Sequence, residues 1–512
     1  KKKYIMNAYV QQITKNNTLL NAKSTLPKQK ALDYLSWIEQ HQQLFYKKKT
    51  FHVNGETFEL YDIRVRCRGP DDKIYGSTKE KVVKDHQKIR DTITRGCVLI
   101  QHEATESFFL FQGYQKFSGL TDQDDDDLAK LLKDTDASIY QSADATQVKE
   151  NKDHQAQFEA FLNNLKNTKN LFFEKPLSKA THFVETVKEN GKAAHLAAFE
   201  LPNTGKRFWI TGSKNVHVLF DDQIESLPKT EGKDLLHEQF ATYLHQQLSE
   251  NPHRVAIQDF LVSTGFVLNF EVMLVDDQHV VDYHLKKPLF ATLSITHQHV
   301  YGDNDYGKCL PIHWVHSWAV ENNLHVAKAK PLAKMDALQQ TIERTRHLPN
   351  SEGAVLYFLD DAQRTIGLMK LKSIWYIMYR AIREKLSVTP FHSKTYKRLR
   401  ALKSRLSLST PIFHYWLVTA YLLHDLIVLK KQVPHTEIRS QYAHLVHQFE
   451  KSEPMNDMHQ ALREGKPLEH YIDTLYPNKN PPPPPPSRKK TKKHKSRNQD
   501  VPKKTKKKFT LS

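Results

Sequence analysis

"FVETVKENGKAAHL" (residues 183–196) joins two apolar, β-prone runs through Lys188, Glu189, Asn190 and Gly191. Asn and Gly both tolerate positive φ, so the step on its own reads as a hairpin turn with Lys188 as a solvated turn residue. The competing reading makes Lys188 a reactive group placed at the end of a strand. The rest of the chain has to decide between them.

At 512 residues the chain is too long for one ordinary core, and two or three domains are expected. Hydrophobic residues make up 39%, enough for packed cores, which points to a globular protein with appended polar segments. Three cysteines (Cys67, Cys97 and Cys309) form neither a disulfide framework nor a C-x-x-C pattern, so a reducing compartment is inferred. "KKKYIMNAYVQQ" (1–12) has no long apolar run and does not suggest secretion. The most apolar stretch, "PIFHYWLVTAYLLHDLIVL" (411–429), carries His414, His424 and Asp425. It reads as a buried core helix rather than a membrane span, and no membrane partner is expected.

The net charge is +19, and residues 488–512 alone hold twelve Lys/Arg against one acid, Asp500. Six prolines, Pro481 to Pro486, precede them as a stiff spacer. A like-charge block cannot bury itself, so 477–512 reads as a disordered Pro-rich and Lys-rich tail. It suits a nuclear address, an RNA-binding arm or a solubilising segment; the location expected is intracellular, nuclear or cytoplasmic, with the tail favouring the nucleus. The basic balance of the remainder suits a polyanionic partner.

Residues 1–50 read as a helical N-terminal segment, with apolar residues at helical spacing in "QKALDYLSWIEQHQQLFYKK" (29–48). Short β-like runs follow in 51–120, then an acidic loop, "TDQDDDDLAK" (121–130). Residues 181–300 are again β-rich, with "PNTGK" (202–206) as a hairpin loop and "GFVLNFEVMLV" joined to "HVVDYHL" across a turn. "GAVLYFLD" and "TIGLMKLKS" form a further hairpin around "DAQR". From 374 the period becomes helical, and 374–476 reads as an all-helical domain at the end of an α+β domain spanning 51–373.

Four short motifs fall in order through the β-rich part: "KENG" (188–191), "NFEVML" (269–274), "SEGAV" (351–355) and "MKLKSIWYIMYR" (369–380). In that order they resemble the nucleotidyltransferase motifs of covalent polynucleotide ligases, and most closely those of phage-type RNA ligase 1 and its tRNA-ligase relatives. "KLKSIWY" has the form of the phage enzymes' last motif, "YIMYRAIREK" resembles the run that follows it in tRNA ligases, and "FEVMLVDDQHVVDY" resembles the family's F-E-F strand and the strand after it. Many ligases have Asp where this chain has Asn190, a change the tRNA-ligase branch tolerates.

The resemblance implies a core of antiparallel, ATP-grasp-like sheets and an ATP-dependent RNA ligase. Its lysyl-AMP intermediate would pass AMP to an RNA 5′-phosphate, which is then sealed to a 3′-hydroxyl. It implies Lys188 as nucleophile, and Lys370 and Lys372 as catalytic cations on the triphosphate. Glu271 would hold the ribose, and Glu352 would contact nucleotide and metal. Arg95, in "TRGCVLIQHE" (94–103), Lys116, in "GYQKF" (113–117), and Lys214, in "TGSKNV" (211–216), would reach the ATP. A competing "CRG" stands at 67–69. The cofactors implied are ATP and Mg²⁺, with Mn²⁺ as a substitute. The resemblance covers roughly residues 60–385 and says nothing of the oligomeric state.

The chemistry explains the residue types. A lysine at its ordinary pKa of about 10.4 is protonated at neutral pH and cannot attack phosphorus. Nearby cations would lower that value, and Lys370 and Lys372, two apart on one strand, share a face. Further on, "SKTYKRLRALKSRL" (393–406) places Lys397, Arg398 and Arg400 on a basic helix suited to RNA phosphates. The alternatives are a capping guanylyltransferase or DNA ligase relative, which share the lysine chemistry, and a catalytically inactive RNA-binding module.

Overall fold

The computed structural model describes residues 25–66, 86–115, 117, 173–222, 236–296, 309–406, 408–429, 434 and 437–468. Lys116, the "CRG" at 67–69, the acidic loop and the Pro- and Lys-rich tail lie outside the described residues.

The first sheet grows from β1 (Thr25–Leu26), α1 (Lys28–Gln40), β2 (Leu44–Val53), β3 (Glu56–Val65), α2 (Gln87–Thr92), β4 (Cys97–His102) and β5 (Ser107–Phe111). Its order is β1-β5-β4-β3-β2. The expected helix through residue 48 is therefore corrected. It ends where His41 turns extended (φ −103°, ψ 109°), and from Leu44 the chain pairs with β3 for ten residues. What makes that strand is a turn: Asn54 (φ 51°) and Gly55 (φ 77°) both take positive φ, the conformation a two-residue hairpin demands.

The second Asn-Gly step behaves otherwise. β6 (His182–Val187) and β7 (Lys192–Glu200) flank it, yet they never pair, because they belong to different sheets. Neither Asn190 nor Gly191 adopts positive φ. The hairpin reading of 190–191 is thus corrected: the segment crosses from one sheet to another. β7 continues through the expected "PNTGK" hairpin into β8 (Arg207–Ser213) and β9 (His217–Phe220). Two helices that the β-rich reading of 181–300 did not anticipate follow, α3 (Leu236–Ser249) and α4 (Arg254–Thr264), then β10 (Val267–Met273) and β11 (Leu289–Thr296). The second sheet runs β11-β10-β7-β8-β9. "HVVDYHL" (279–285) is not a strand; β10 pairs with β7 and β11, leaving no free edge for it.

After α5 (Ile312–Glu321) come β12 (Ala333–Lys334), α6 (Leu338–Arg346) and the expected hairpin of β13 (Gly353–Leu359) and β14 (Thr365–Lys372). They complete the third sheet, β12-β6-β13-β14. The three sheets are antiparallel throughout.

Alternation along the strands decides the layers. Val98 and Ile100 of β4 enter the main core with Phe58 and Phe109, while Cys97 and Leu99 point to α1 and its Ala31, Tyr34 and Ile38. Phe199 of β7 meets Phe109 at 4.3 Å and Phe58 at 5.9 Å between ring centroids, so the first two sheets pack face to face through aromatic rings. The main core also takes Phe240, Leu244, Ile257 and Leu261 of α3 and α4, and Val355, Tyr357 and Leu359 of β13. Leu356 and Phe358, pointing the other way, pack on Leu338 and Ile342 of α6.

Regular structure beyond residue 373, among the described residues, is helical: α7 (Ile374–Arg383), α8 (Phe391–Arg405), α9 (Thr410–His424), a π turn at Asp425–Leu429, α10 (Ile438–Glu450) and α11 (Glu453–Arg463). The apolar run at 411–429 forms the buried α9 and the π turn after it, and no helix among the described residues is long and apolar enough to cross a membrane. Val280 and Val281, from the segment after β10, insert into the core of these helices. That segment links the helices to the crossover at Lys188.

Candidate active site

Lys188 leaves the end of β6 with its backbone N–H still donating to the Gly353 carbonyl at 2.9 Å. Its side chain, 18% exposed, places Nζ 2.9 Å from Glu352 Oε1. The other oxygen, Glu352 Oε2, accepts a 2.6 Å hydrogen bond from Asn190 Nδ2. Asn190 Oδ1 in turn accepts from the backbone N–H groups of Val280 (2.9 Å) and Val281 (3.2 Å). The Asn190 backbone N–H donates to the Tyr283 hydroxyl at 2.7 Å. Asparagine at 190 is thereby explained. A buried side chain must donate to one carboxylate and accept two N–H bonds, which an amide can do and an ionised Asp cannot.

Gly191 has a different reason. A Cβ there would lie 2.3 Å from the Val272 carbonyl oxygen, so only glycine lets the crossover lie against β10. Its N–H donates to Glu271 Oε1 at 3.0 Å. Burial pushes the Glu271 carboxyl up to about 7; Lys188 opposes the rise and Glu352 adds to it.

The electrostatics of Lys188 correct one expectation. Burial works against its charge, but the carboxylates of Glu352 and Glu271 outweigh burial and hold the ammonium above the usual lysine range. Carboxylates set its protonation here, not the lysines of β14. Glu352 shows the converse: burial would raise its carboxyl, and Lys188 and Lys372 hold it below the ordinary value.

Register places Lys370 and Lys372. Across the third sheet, Thr186, Val355 and Lys370 form one row, and Gly353 faces Lys372 where the Lys188 N–H joins. Directly opposed residues in antiparallel strands share a face, so Lys188, Lys370 and Lys372 lie on one side of one sheet. Gly353 (φ 129°) would drive a Cβ to 2.0 Å from the Leu371 carbonyl oxygen, and so requires glycine. Beyond β14, Ser373 caps α7 by accepting from the Tyr376 N–H at 3.0 Å, and Lys372 Nζ stands 5.6 Å from the Tyr376 ring centre.

The second sheet brings Glu271 and Lys214 toward the same end. Glu271 faces Ala193, and Lys214 directly follows Ser213, the residue of β8 that pairs with Ala194. The Lys214 carbonyl accepts from the Gly96 N–H at 3.1 Å, and the Arg95 N–H donates to Tyr114 O at 2.8 Å, so the exposed Arg95 stands beside Lys214. His195 seals this junction: a Cβ on Gly96 or Gly113 would meet its imidazole at 2.3 and 2.4 Å. Lys188, Glu352, Lys370 and Lys372 thus gather at the third sheet, with Glu271 against the crossover, while Lys214 and Arg95 meet at the junction of the first and second sheets. Lys397, Arg398 and Arg400 are exposed on α8, as the sequence suggested, whereas Lys394 and Lys403 bond to Thr389 O (2.6 Å) and Thr410 Oγ1 (2.9 Å).

Reasoning from sequence missed Asn190 as a bridge, along with Tyr283, Asp277 (ion-paired with Lys192) and the 277–283 segment. The one available signal was asparagine in place of the commoner aspartate. As a metal centre the site is sparse. Glu352 has both oxygens committed, and the only cluster of three or more metal-ligating side chains among the described residues lies elsewhere. These residues do not by themselves fit a resident divalent ion, which takes several oxygen ligands.

Residues 152–383 match a family described as a domain of unknown function (DUF7920). No curated protein matches the sequence. Among solved structures, two forms of an archaeal ATP-dependent RNA ligase are similar, at 11% and 12% identity; each alignment covers 79% of this chain and 82% of that one, with a TM-score of 0.41.

Proposed function

We propose that this chain is an ATP-dependent RNA ligase of the covalent nucleotidyltransferase type, acting through Lys188. The observation that carries the reading is the meeting of Lys188, Glu352 and Asn190 at a crossover between two sheets, with Lys370 and Lys372 on the face that Lys188 shares. In the proposed step the Lys188 ammonium gives up one proton once ATP is bound, Nζ bonds to the α-phosphorus as the bond to pyrophosphate breaks, and a second Nζ proton leaves. Glu352, 2.9 Å away, is placed to receive that proton, and Asn190 keeps its carboxylate aimed.

Because Lys188 is held protonated by two carboxylates, ATP binding has to unlock it. Lys370 and Lys372 would neutralise the phosphates as charge moves onto the leaving group. A divalent ion would arrive on the triphosphate, held chiefly by phosphate oxygens and water. AMP would then pass to an RNA 5′-phosphate and be displaced by a 3′-hydroxyl. The exposed cations of α8 suit the RNA backbone. A nuclear or cytoplasmic location, a separate helical domain and the ends sealed all belong to this reading.

The test is incubation with α-labelled ATP and, separately, labelled GTP, followed by denaturing electrophoresis. Label from ATP alone supports the reading, and label from GTP points to capping. Lys188→Arg should fold normally and keep the Glu352 pair yet form no adduct, because a guanidinium offers no lone pair at attainable pH. An inactive RNA-binding module is favoured by one observation, the closed Lys188–Glu352 pair. Label from neither nucleotide would decide for it.

A further inference from the structure

We propose that His392, His424 and Asp425 bind a first-row divalent transition-metal ion of the zinc class, at the junction between the start of α8 and the end of α9. Each residue offers one ligand atom, and these atoms all lie within 4.8 Å of one another. His424 and Asp425 are neighbours in sequence, and the fold brings His392 to them from the start of another helix. His392 sits in the first turn of α8, His424 is the last residue of α9, and Asp425 opens the π turn. Single-turn π segments are frequent at functional sites.

The surroundings suit a bound ion. His392 Nε2, His424 Nδ1 and Asp425 Oδ1 are shielded from solvent, so a cation among them would feel little dielectric screening. The His424 ring stacks on Phe391, with centroids 3.9 Å apart and planes 12° apart, which fixes its orientation. The His392 ring lies 5.6 Å from that of His424 and 4.6 Å from Tyr421. His424 Nδ1 and Asp425 Oδ1 are 3.6 Å apart, close to the spacing of two ligands on an ion that binds each at about 2.0–2.2 Å. His392, only partly buried at the helix start, completes the set within the same 4.8 Å.

Donor chemistry selects the metal class. Two imidazoles and one carboxylate suit zinc and its neighbours, while magnesium and calcium take oxygen ligands. Three protein ligands leave a fourth position for water. The ion would tie α8, which presents Lys397, Arg398 and Arg400, to the end of α9. This inference stands apart from the chemistry proposed for Lys188.

The experiment uses the full chain, stripped with a chelator and titrated with Zn²⁺, Co²⁺ or Mg²⁺. Expected are one equivalent of tightly bound Zn²⁺, the visible absorption of tetrahedral Co²⁺, a raised melting midpoint, and no response to Mg²⁺. His392→Ala and the near-isosteric Asp425→Asn should each weaken Zn²⁺ binding at least tenfold and abolish the Co²⁺ band. His444→Ala, outside the cluster, should leave both intact. Should His392→Ala fail to fold, Asp425→Asn decides alone. No stoichiometric Zn²⁺ binding, or a Co²⁺ spectrum indifferent to both substitutions, would overturn the proposal and leave a hydrogen-bonded cluster.

Discussion

Asn190→Asp is nearly isosteric, and its consequence can be worked from the hydrogen bonds it alters. In the native chain Asn190 Nδ2 donates to Glu352 Oε2 at 2.6 Å, and Asn190 Oδ1 accepts from two backbone N–H groups. The substitution keeps the acceptor and replaces the donor by a second carboxylate oxygen against Glu352. Two ionised carboxylates at that distance repel, so the folded pair retains a proton with a raised macroscopic pKa. Holding a proton at pH 8 on a group whose unfolded pKa is about 3.9 would cost at most about 5.6 kcal/mol, at 1.36 kcal/mol per unit. Stronger bonds from Val280 and Val281 to the charged acceptor recover part of that, leaving a deficit of about 3 kcal/mol.

The sign of the pH dependence is the sharper test. The folded variant binds more protons than the unfolded chain between the unfolded pKa and the raised folded one, so its stability falls as pH rises through that window. The deficit against the native chain is therefore small near pH 4, larger at pH 8, and saturates above the raised pKa. Asn190→Ala removes the same donor without adding a titrating group, and its deficit should stay nearly flat from pH 5 to pH 8. Urea unfolding of all three chains at pH 5 and pH 8, followed by tryptophan fluorescence, makes the comparison. An Asn190→Asp deficit no larger at pH 8 than at pH 5 would refute the bridging role of Asn190.

Glu271, with its carboxyl pushed up to about 7 by burial, binds an extra proton in the fold, so native stability should fall as pH rises from about 4.5 through about 7. Glu271→Gln mimics the protonated form and can still accept from Gly191, so it should flatten that slope in thermal melts between pH 5 and pH 8. Converting Lys397, Arg398 and Arg400 together to Ala should weaken RNA binding at low salt and lower the magnitude of the log–log salt slope by about 2–3. Fluorescence anisotropy would report that loss, and labelled ATP would show adenylylation intact. Deleting residues 481–512 should likewise spare adenylylation while reducing RNA affinity at low salt or nuclear accumulation; loss of the lysyl-AMP band would place the tail in the catalytic fold.

Local pattern was enough for much of this protein. Short apolar, β-prone runs between turn signals marked β3, β4, β7, β8, β13 and β14, and the helical period marked α7, α8 and α10, because these patterns are local to each segment whatever its partner. The lysine, F-E, E-G and K-x-K segments, through the ligase motifs they resemble, single out Lys188, Glu271, Glu352, Lys370 and Lys372 as candidates from the sequence alone. Partnership was not legible in the same way. Two Asn-Gly steps look alike in sequence, yet Asn54-Gly55 closes a hairpin while Asn190-Gly191 crosses between sheets, since β6 finds β13 and β7 finds β10. "HVVDYHL" has the composition of a strand but feeds Val280 and Val281 into the helical core, because β7 and β11 already occupy both edges of β10. The charge on Lys188 belongs to the same class. Lysines two apart on one strand suggested a lowered pKa, and the carboxylates that raise it arrive from residues 83 and 164 positions away, a proximity that only the packing of the sheets creates.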